Sequence, residues 1–165
     1  MREQPVFTGI SQVGLVVRDC MASVKKYNDE YGIGPWAIYE MNPDSVQEMV
    51  IHGKPEKYAM RAAVANIGDT QIELIQPLDE KSIYADFLKT HGEGIHHLLF
   101  DVDSYDETVN FFQEKGFGIF QGGNFKGGIF TYFDTTRELG LISEIYKPTP
   151  EAELPEPDDI YPKGA

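Results

Sequence analysis

Disulfides, membrane spans and cationic grips for nucleic acid are all missing from this chain. Its 165 residues include one cysteine, Cys20, so no intrachain disulfide can form and nothing ties the protein to an oxidising compartment. No apolar run approaches the roughly 18 residues of a membrane helix, and Met1-Arg2-Glu3-Gln4-Pro5 lacks the apolar stretch of a signal peptide. Basic residues are scarce: 14 Lys and Arg stand against 27 Asp and Glu, for a formal charge of -13. A surface of that sign repels phosphate backbones and anionic lipid, which argues against nucleic acid and membranes as partners. The chain therefore reads as soluble and cytoplasmic. What is present, 41% hydrophobic and 25% charged residues, is a globular composition at a length suited to one domain or two fused half-domains.

Local patterns define the elements. Ile10 to Val17 is short, β-branched and bounded by polar residues, as a strand should be. Asp19 offers an N-cap to a helix with Met21, Val24, Tyr27 and Tyr31 on one face, stopped by Gly32. Strands are expected at Trp36 to Met41, Tyr58 to Ile67 and Thr70 to Ile75, the last two joined at Gly68-Asp69, with Asn42 to Lys57 an extra loop-like stretch. Ser82 caps a short amphipathic helix with Asp86 in its first turn. The pattern then starts again: strand Ile95 to Val102, a helix opened by the Ser104/Glu107 capping box and ended at Gly116, and strands at Phe117 to Gln121, Gly128 to Phe133 and Gly140 to Tyr146.

The second half matches the first by position. Gln12 and His97 occupy equivalent places 85 residues apart, and Gly32 and Gly116 lie 84 apart. Glu73 of Gln-Ile-Glu-Leu-Ile-Gln-Pro matches Glu144 of Ile-Ser-Glu-Ile-Tyr-Lys-Pro at a spacing of 71, the difference being the Asn42 to Lys57 stretch. The expected class is α+β, with two tandem βαβββ modules forming curved mixed sheets. Residues 8–147 make one domain (module one 8–78, linker helix 80–91, module two 94–147), followed by a Pro-rich acidic tail over 148–165 read as extended or disordered.

The duplication singles out four polar residues. Gln12 pairs with His97 on the opening strands, and Glu73 with Glu144 on the closing strands. Alone, each is an ordinary polar strand residue; together they offer an amide oxygen, an imidazole and two carboxylates. That mixed set suits one divalent metal ion such as Zn, Co, Mn, Ni or Fe while leaving room for water or substrate. Strand alternation turns His96 to the face opposite His97, where it would pack or hydrogen-bond beside the site.

Four segments carry a family resemblance: Gln12-Val-Gly-Leu-Val-Val-Arg-Asp, Gln71-Ile-Glu-Leu-Ile-Gln-Pro, Gly94-Ile-His-His-Leu-Leu-Phe-Asp-Val and Phe130-Thr-Tyr-Phe-Asp-Thr. With them the chain resembles the vicinal oxygen chelate superfamily of glyoxalases, bleomycin-resistance proteins, epimerases and extradiol dioxygenases, and the Gly-Ile-His-His segment looks most like the methylmalonyl-CoA epimerases. The resemblance implies the glyoxalase-like fold, a metal held at Gln12, Glu73, His97 and Glu144, and a homodimer. It also implies a small-molecule substrate with two neighbouring oxygens, acyl-CoA among the candidates, whose adjacent carbon loses a proton to give an enolate-type intermediate. Glu144 is then the proton-transfer base and Glu73 a ligand and partner. Gln12 departs from the His usual in epimerases and matches the Gln, Glu, His and Glu of animal-type glyoxalase I. A lyase acting on a thiol adduct is therefore the second reading and a metal-free binding protein the third. Extradiol dioxygenases use two His and one carboxylate, whereas the matched positions here hold one His.

Weaker features complete the expectations. Gly122 to Gly128 reads as a mobile loop between strands that could act as a lid, since it lacks the spacing of a phosphate-binding loop. Lys54, Lys57 and Arg61, joined by Lys126 or Arg137, form either surface charge or an anchor for a carboxylate or CoA phosphate. Tyr39, Tyr58, Arg61 and Tyr132 are the expected substrate contacts, the aromatics because half of any strand's side chains face inward.

Overall fold

The computed structural model describes residues 5–149 and 155–164. Its first half runs β1 (Gly9–Val16), α1 (Cys20–Tyr31), β2 (Trp36–Met41), β3 (Val46–Ile51), β4 (Lys54–Pro55), β5 (Met60–Ile67) and β6 (Thr70–Pro77). Helix α2 (Ile83–Thr90) leads to β7 (Gly94–Asp101), α3 (Tyr105–Glu114), β8 (Gln121–Phe125), β9 (Gly128–Phe133), α4 (Thr136–Leu139) and β10 (Ile142–Pro148). Strand β11 (Asp159–Tyr161) comes last. These strands form one mixed 11-stranded sheet in the order β11-β2-β5-β6-β1-β7-β10-β9-β8-β3-β4. This is the expected α+β fold. Among the described residues no helix is long and apolar enough to cross a membrane.

The halves meet where β1 pairs antiparallel with β7. Each strand of that seam has a parallel outer neighbour, β6 beside β1 and β10 beside β7. The registers are images of each other: Gly14 faces His97 while Gln12 faces Leu99, and Gly14 aligns with Glu73 as Leu99 aligns with Glu144. The offsets read from the sequence are thus the offsets of the strand pairing.

Helices α1 and α3 cover one face of the sheet and leave the other for a cavity. Asp19 caps α1 by accepting from the Ala22 N–H, and Gly32 ends it in the left-handed conformation, φ +67°, a cheap conformation for a residue without a Cβ. Buried Cys20 and Val24 press α1 onto Trp36, Ala63 and Leu74. Helix α3 repeats the arrangement: the Ser104 hydroxyl accepts from the Glu107 N–H, and Phe112 stacks on Phe133 with ring centroids 4.4 Å apart. Alternate residues of the same strands, including Val16, Met60, Ile75 and Tyr132, form a third cluster on the inner side, closed by Ile83 and Tyr84 of α2.

Three segments differ from expectation. Phe117 to Phe120 is irregular, and the strand lies one step later at Gln121–Phe125, inside the glycine run read as a loop. Gly122 and Gly123 are there for close approach: a Cβ on Gly123 would sit 2.6 Å from Val46 Cγ1, and one on Gly122 2.9 Å from the Phe130 carbonyl oxygen. The extra stretch before Lys57 holds the β3–β4 hairpin, whose two-residue turn places His52 and Gly53 at φ +50° and +71°. Strand β3 crosses to the other module and pairs with β8. Within the acidic tail, β11 pairs antiparallel with β2, so a segment read as extended or disordered adds an edge strand.

Candidate metal centre

The centre is built from the seam outward. His97 projects from β7 onto the bare backbone of Gly14 in β1, and a Cβ there would meet His97 Cε1 far inside van der Waals contact. Glu73 reaches the ring from β6 and Glu144 from β10, the two strands flanking the seam. His97 Nε2 lies 3.0 Å from Glu144 Oε2 and 3.5 Å from Glu73 Oε2. All three ligand-type atoms lie within 4.8 Å of one another. His97 is fully buried, and its Nε2 meets only the carboxylates of Glu144 and Glu73. An imidazole and two carboxylates converging on a common point in a buried polar pocket are the donor set a cation site requires. The residues fit a divalent ion.

Charge and second contacts support the arrangement. Burial disfavours the His97 imidazolium, but the carboxylates of Glu144 and Glu73 outweigh it and hold the pKa up at about 9. Burial raises the Glu144 carboxyl above its ordinary value, with His97 opposing. Tyr132 faces Glu144 across the β9–β10 pair, where its hydroxyl favours the ionised carboxylate, and the Tyr84 hydroxyl donates to Tyr132 at 3.0 Å. His96 Nδ1 is 3.0 Å from His97 Nδ1. Burial first and His97 second hold His96 well below its ordinary range, and its Nδ1 contacts the His97 nitrogen that does not face the two carboxylates.

Strand alternation does not hold at this pair. The register jumps between Gly14–His97 and Leu15–Ile95, so His96 is the extra residue of a bulge. Both imidazoles are buried, and His96 packs against Tyr84 and Phe87 of α2 instead of pointing away.

A cavity of about 460 Å³ opens onto Glu73 and Glu144. Of the four residues proposed from the sequence as substrate contacts, Tyr39 and Tyr132 line it. The other two expected contacts lie elsewhere. Tyr58 is buried and donates to the Gly122 carbonyl at 3.0 Å, bracing β8. Arg61 alternates with the cavity-lining Met60 and Ala62 and pairs with Glu40 at 3.1 Å. Gln12 is buried on β1 two residues before Gly14, with its Nε2 donating to Gln71 Oε1 at 2.5 Å. Gln71, Gly14 and Tyr84 are not among the site residues the sequence singles out. Gln71 could have been found from its spacing of two before Glu73, and Gly14 from a glycine two residues after Gln12 in a strand that otherwise favours side chains.

A curled double-module sheet with a His and two carboxylates at its seam defines a small-molecule site of metal-binding type. Residues 11–133 match the model of the Glyoxalase/Bleomycin resistance protein/Dioxygenase superfamily, and the chain belongs to that superfamily. Methylmalonyl-CoA epimerase from Bos taurus mitochondria is 33% identical over 60 residues, 36% of this chain and 34% of that protein, so the match spans about a third of the relative. Two solved structures share the fold. The methylmalonyl-CoA epimerase of Mycobacterium tuberculosis superposes with a TM-score of 0.67 at 24% identity, covering 92% of this chain and 95% of that one. A variant of the Streptomyces coelicolor methylmalonyl-CoA epimerase in complex with 2-nitronate-propionyl-CoA gives 0.65 at 21% identity, covering 85% and 96%.

Proposed function

We propose that the protein is a metal-dependent epimerase or isomerase that moves a proton at the carbon beside a carbonyl in a small α-oxygenated substrate, through an enolate-type intermediate. The observation that carries this reading is the convergence of the ligand atoms of Glu73, His97 and Glu144 within 4.8 Å of one another beside a cavity that Glu73 and Glu144 line. One divalent ion held by Gln12, Glu73, His97 and Glu144 would supply charge stabilisation to the substrate's paired oxygens. Glu144 takes the α-proton and returns it, a role suited to a carboxylate whose proton affinity burial has raised. Tyr132 fixes the orientation of that carboxylate, and Glu73 stands across His97 as the partner acid. His96 holds His97 in the tautomer that presents Nε2. The likeness to methylmalonyl-CoA epimerases supports proton transfer at a carbon acid as the reaction class. Gln12 supports the second reading, a glyoxalase-like lyase acting on a thiol adduct. The working unit in either reading is a homodimer.

The test is elemental analysis by mass spectrometry of protein purified without a His-tag or chelator, alongside Glu73→Ala and His97→Ala variants. About one ion per chain, lost in both variants, is the expected result. No metal after reconstitution with Zn, Mn, Co, Ni and Fe(II) would overturn both enzymatic readings and leave a ligand-binding member of the superfamily.

A further inference from the structure

The cavity divides into an apolar body and an acidic mouth. Met41, Val46, Met60, Ala62, Phe125 and Phe130 supply its walls, and the rings of Tyr39, Tyr132 and Tyr146 add flat aromatic surface. Its rim carries Glu40, Glu156 and Asp158. The last two come from the acidic tail, which β11 fixes to the β2 edge; Asp158 also accepts from the Glu40 N–H at 2.7 Å. Lys126 is the one cation among the described residues lining the cavity. Arg61 offsets Glu40, which leaves Glu156 and Asp158 against Lys126. Lys54 and Lys57, candidates for a phosphate anchor, lie on or beside the β3–β4 hairpin and are not among the lining residues. The field reaches inside: burial first and Asp158 second hold the Tyr39 hydroxyl above its ordinary range. At the inner end stands the buried carboxylate of Glu144, 3.0 Å from His97 Nε2.

A divalent ion would balance Glu73 and Glu144 and leave the rim acidic. A nucleotide thioester would bring a diphosphate and a further phosphate to a rim where Glu156 and Asp158 outnumber Lys126, on a chain already at -13. A volume of about 460 Å³ lies in the range of pockets that enclose drug-sized ligands whole. Aromatic and methionine walls favour a ring over a flexible chain. We infer that the cavity takes an uncharged, ring-bearing α-hydroxycarbonyl compound and turns away acyl thioesters of phosphate-bearing carriers. This inference rests on the proton-transfer reading for its paired oxygens, while its charge selection stands on the rim.

Calorimetry on the metal-reconstituted full chain tests it, with a panel of uncharged aryl α-hydroxyketones, benzoin among them, against propionyl-CoA at low and physiological salt. Hydroxyketone binding, with propionyl-CoA weaker by about tenfold or more, is the expected result. Glu156→Lys, at an exposed position on the rim, should then raise propionyl-CoA binding relative to the hydroxyketones by about tenfold. Propionyl-CoA binding as tight as the best hydroxyketone, or no binding by any of the panel, would overturn the inference. Exchange of the α-hydrogen in D2O, followed by NMR, separates it from the reading beneath. Bound hydroxyketone without exchange sinks proton transfer and leaves the charge selection standing, whereas exchange on methylmalonyl-CoA alone does the reverse.

Discussion

His97 sits where the side chain of Gly14 would be. The imidazole occupies the space over the β1 backbone, and both residues belong to the central strand pair of the sheet. Gly14→Ala should therefore displace the ring at its root while leaving every ligand in the sequence. Forcing a methyl group into this packing costs about 1–3 kcal/mol. We expect a folded protein by circular dichroism that has lost most of its bound metal by elemental analysis. Full metal occupancy in the variant would mean that His97 does not ligate from its observed position.

Glu144→Gln separates ligation from proton transfer. The amide keeps a carbonyl oxygen at the site and can still accept from Tyr132, but it cannot take up a proton. Exchange of the substrate's α-hydrogen should fall by about 10²–10⁴-fold, the usual contribution of a positioned acid or base. A loss below about threefold would assign proton transfer to another group, with Glu73 the nearest candidate.

Much of this was legible because duplication writes the same information twice. Caps at Asp19 and Ser104 and left-handed glycines at 32 and 116 mark equivalent helix ends, and the matched strands placed three of the four proposed ligands around one point. Legibility failed where backbone contact, not side-chain periodicity, decides the structure. The His96 bulge reverses an alternation that would otherwise hold, and nothing local in Gly-Ile-His-His announces it. Arg61 looked like an anchor in composition but takes the wrong parity on β5, a matter of register that single residues do not reveal. The run Gly122-Gly123 has the composition of a loop and the environment of a packed strand, because strands on both sides approach it too closely for side chains.

Gly123→Ala tests that explanation. Its Cβ would lie 2.6 Å from Val46 Cγ1 and 3.0 Å from Phe130 Cζ, two buried side chains with little room to retreat. The variant should lose about 1–3 kcal/mol in urea unfolding. Unchanged stability would return the segment to the status of a loop.

Cys20 gives a prediction in pH. Burial raises its thiol from an ordinary 9.0 to about 12. As pH climbs past 9 the unfolded chain releases this proton while the folded chain keeps it, so ionisation favours unfolding and stability declines across the interval from 9 to about 12. Buried Tyr84 and Tyr132, whose hydroxyls burial raises well above 10.0, act in the same direction higher in the range. Iodoacetamide should label Cys20 slowly at pH 8.5 in the native protein and rapidly in urea. Cys20→Ser should flatten the alkaline fall in melting temperature between pH 9 and 10; an identical fall in the variant would assign the whole effect to the tyrosines.

The tail strand has a structural role separable from its charge. β11 covers β2, whose backbone would otherwise stand as an open edge of six residues, and Tyr161 adds a hydrogen bond to Asp29 of α1 at 3.3 Å. At the opposite end of the sheet the two-residue β4 terminates the ladder, and short edge strands of this kind resist pairing with a second chain. A chain ending at Thr149 would expose β2 at one edge alone. Light scattering should then show concentration-dependent association beyond the full-length species. The same truncation removes Glu156 and Asp158 from the rim, so Glu156→Gln with Asp158→Asn in the intact chain is the control that changes charge and keeps the strand. Association in the truncated protein but not in the charge-neutralised one would assign the effect to the open edge; equal association in both would assign it to lost repulsion.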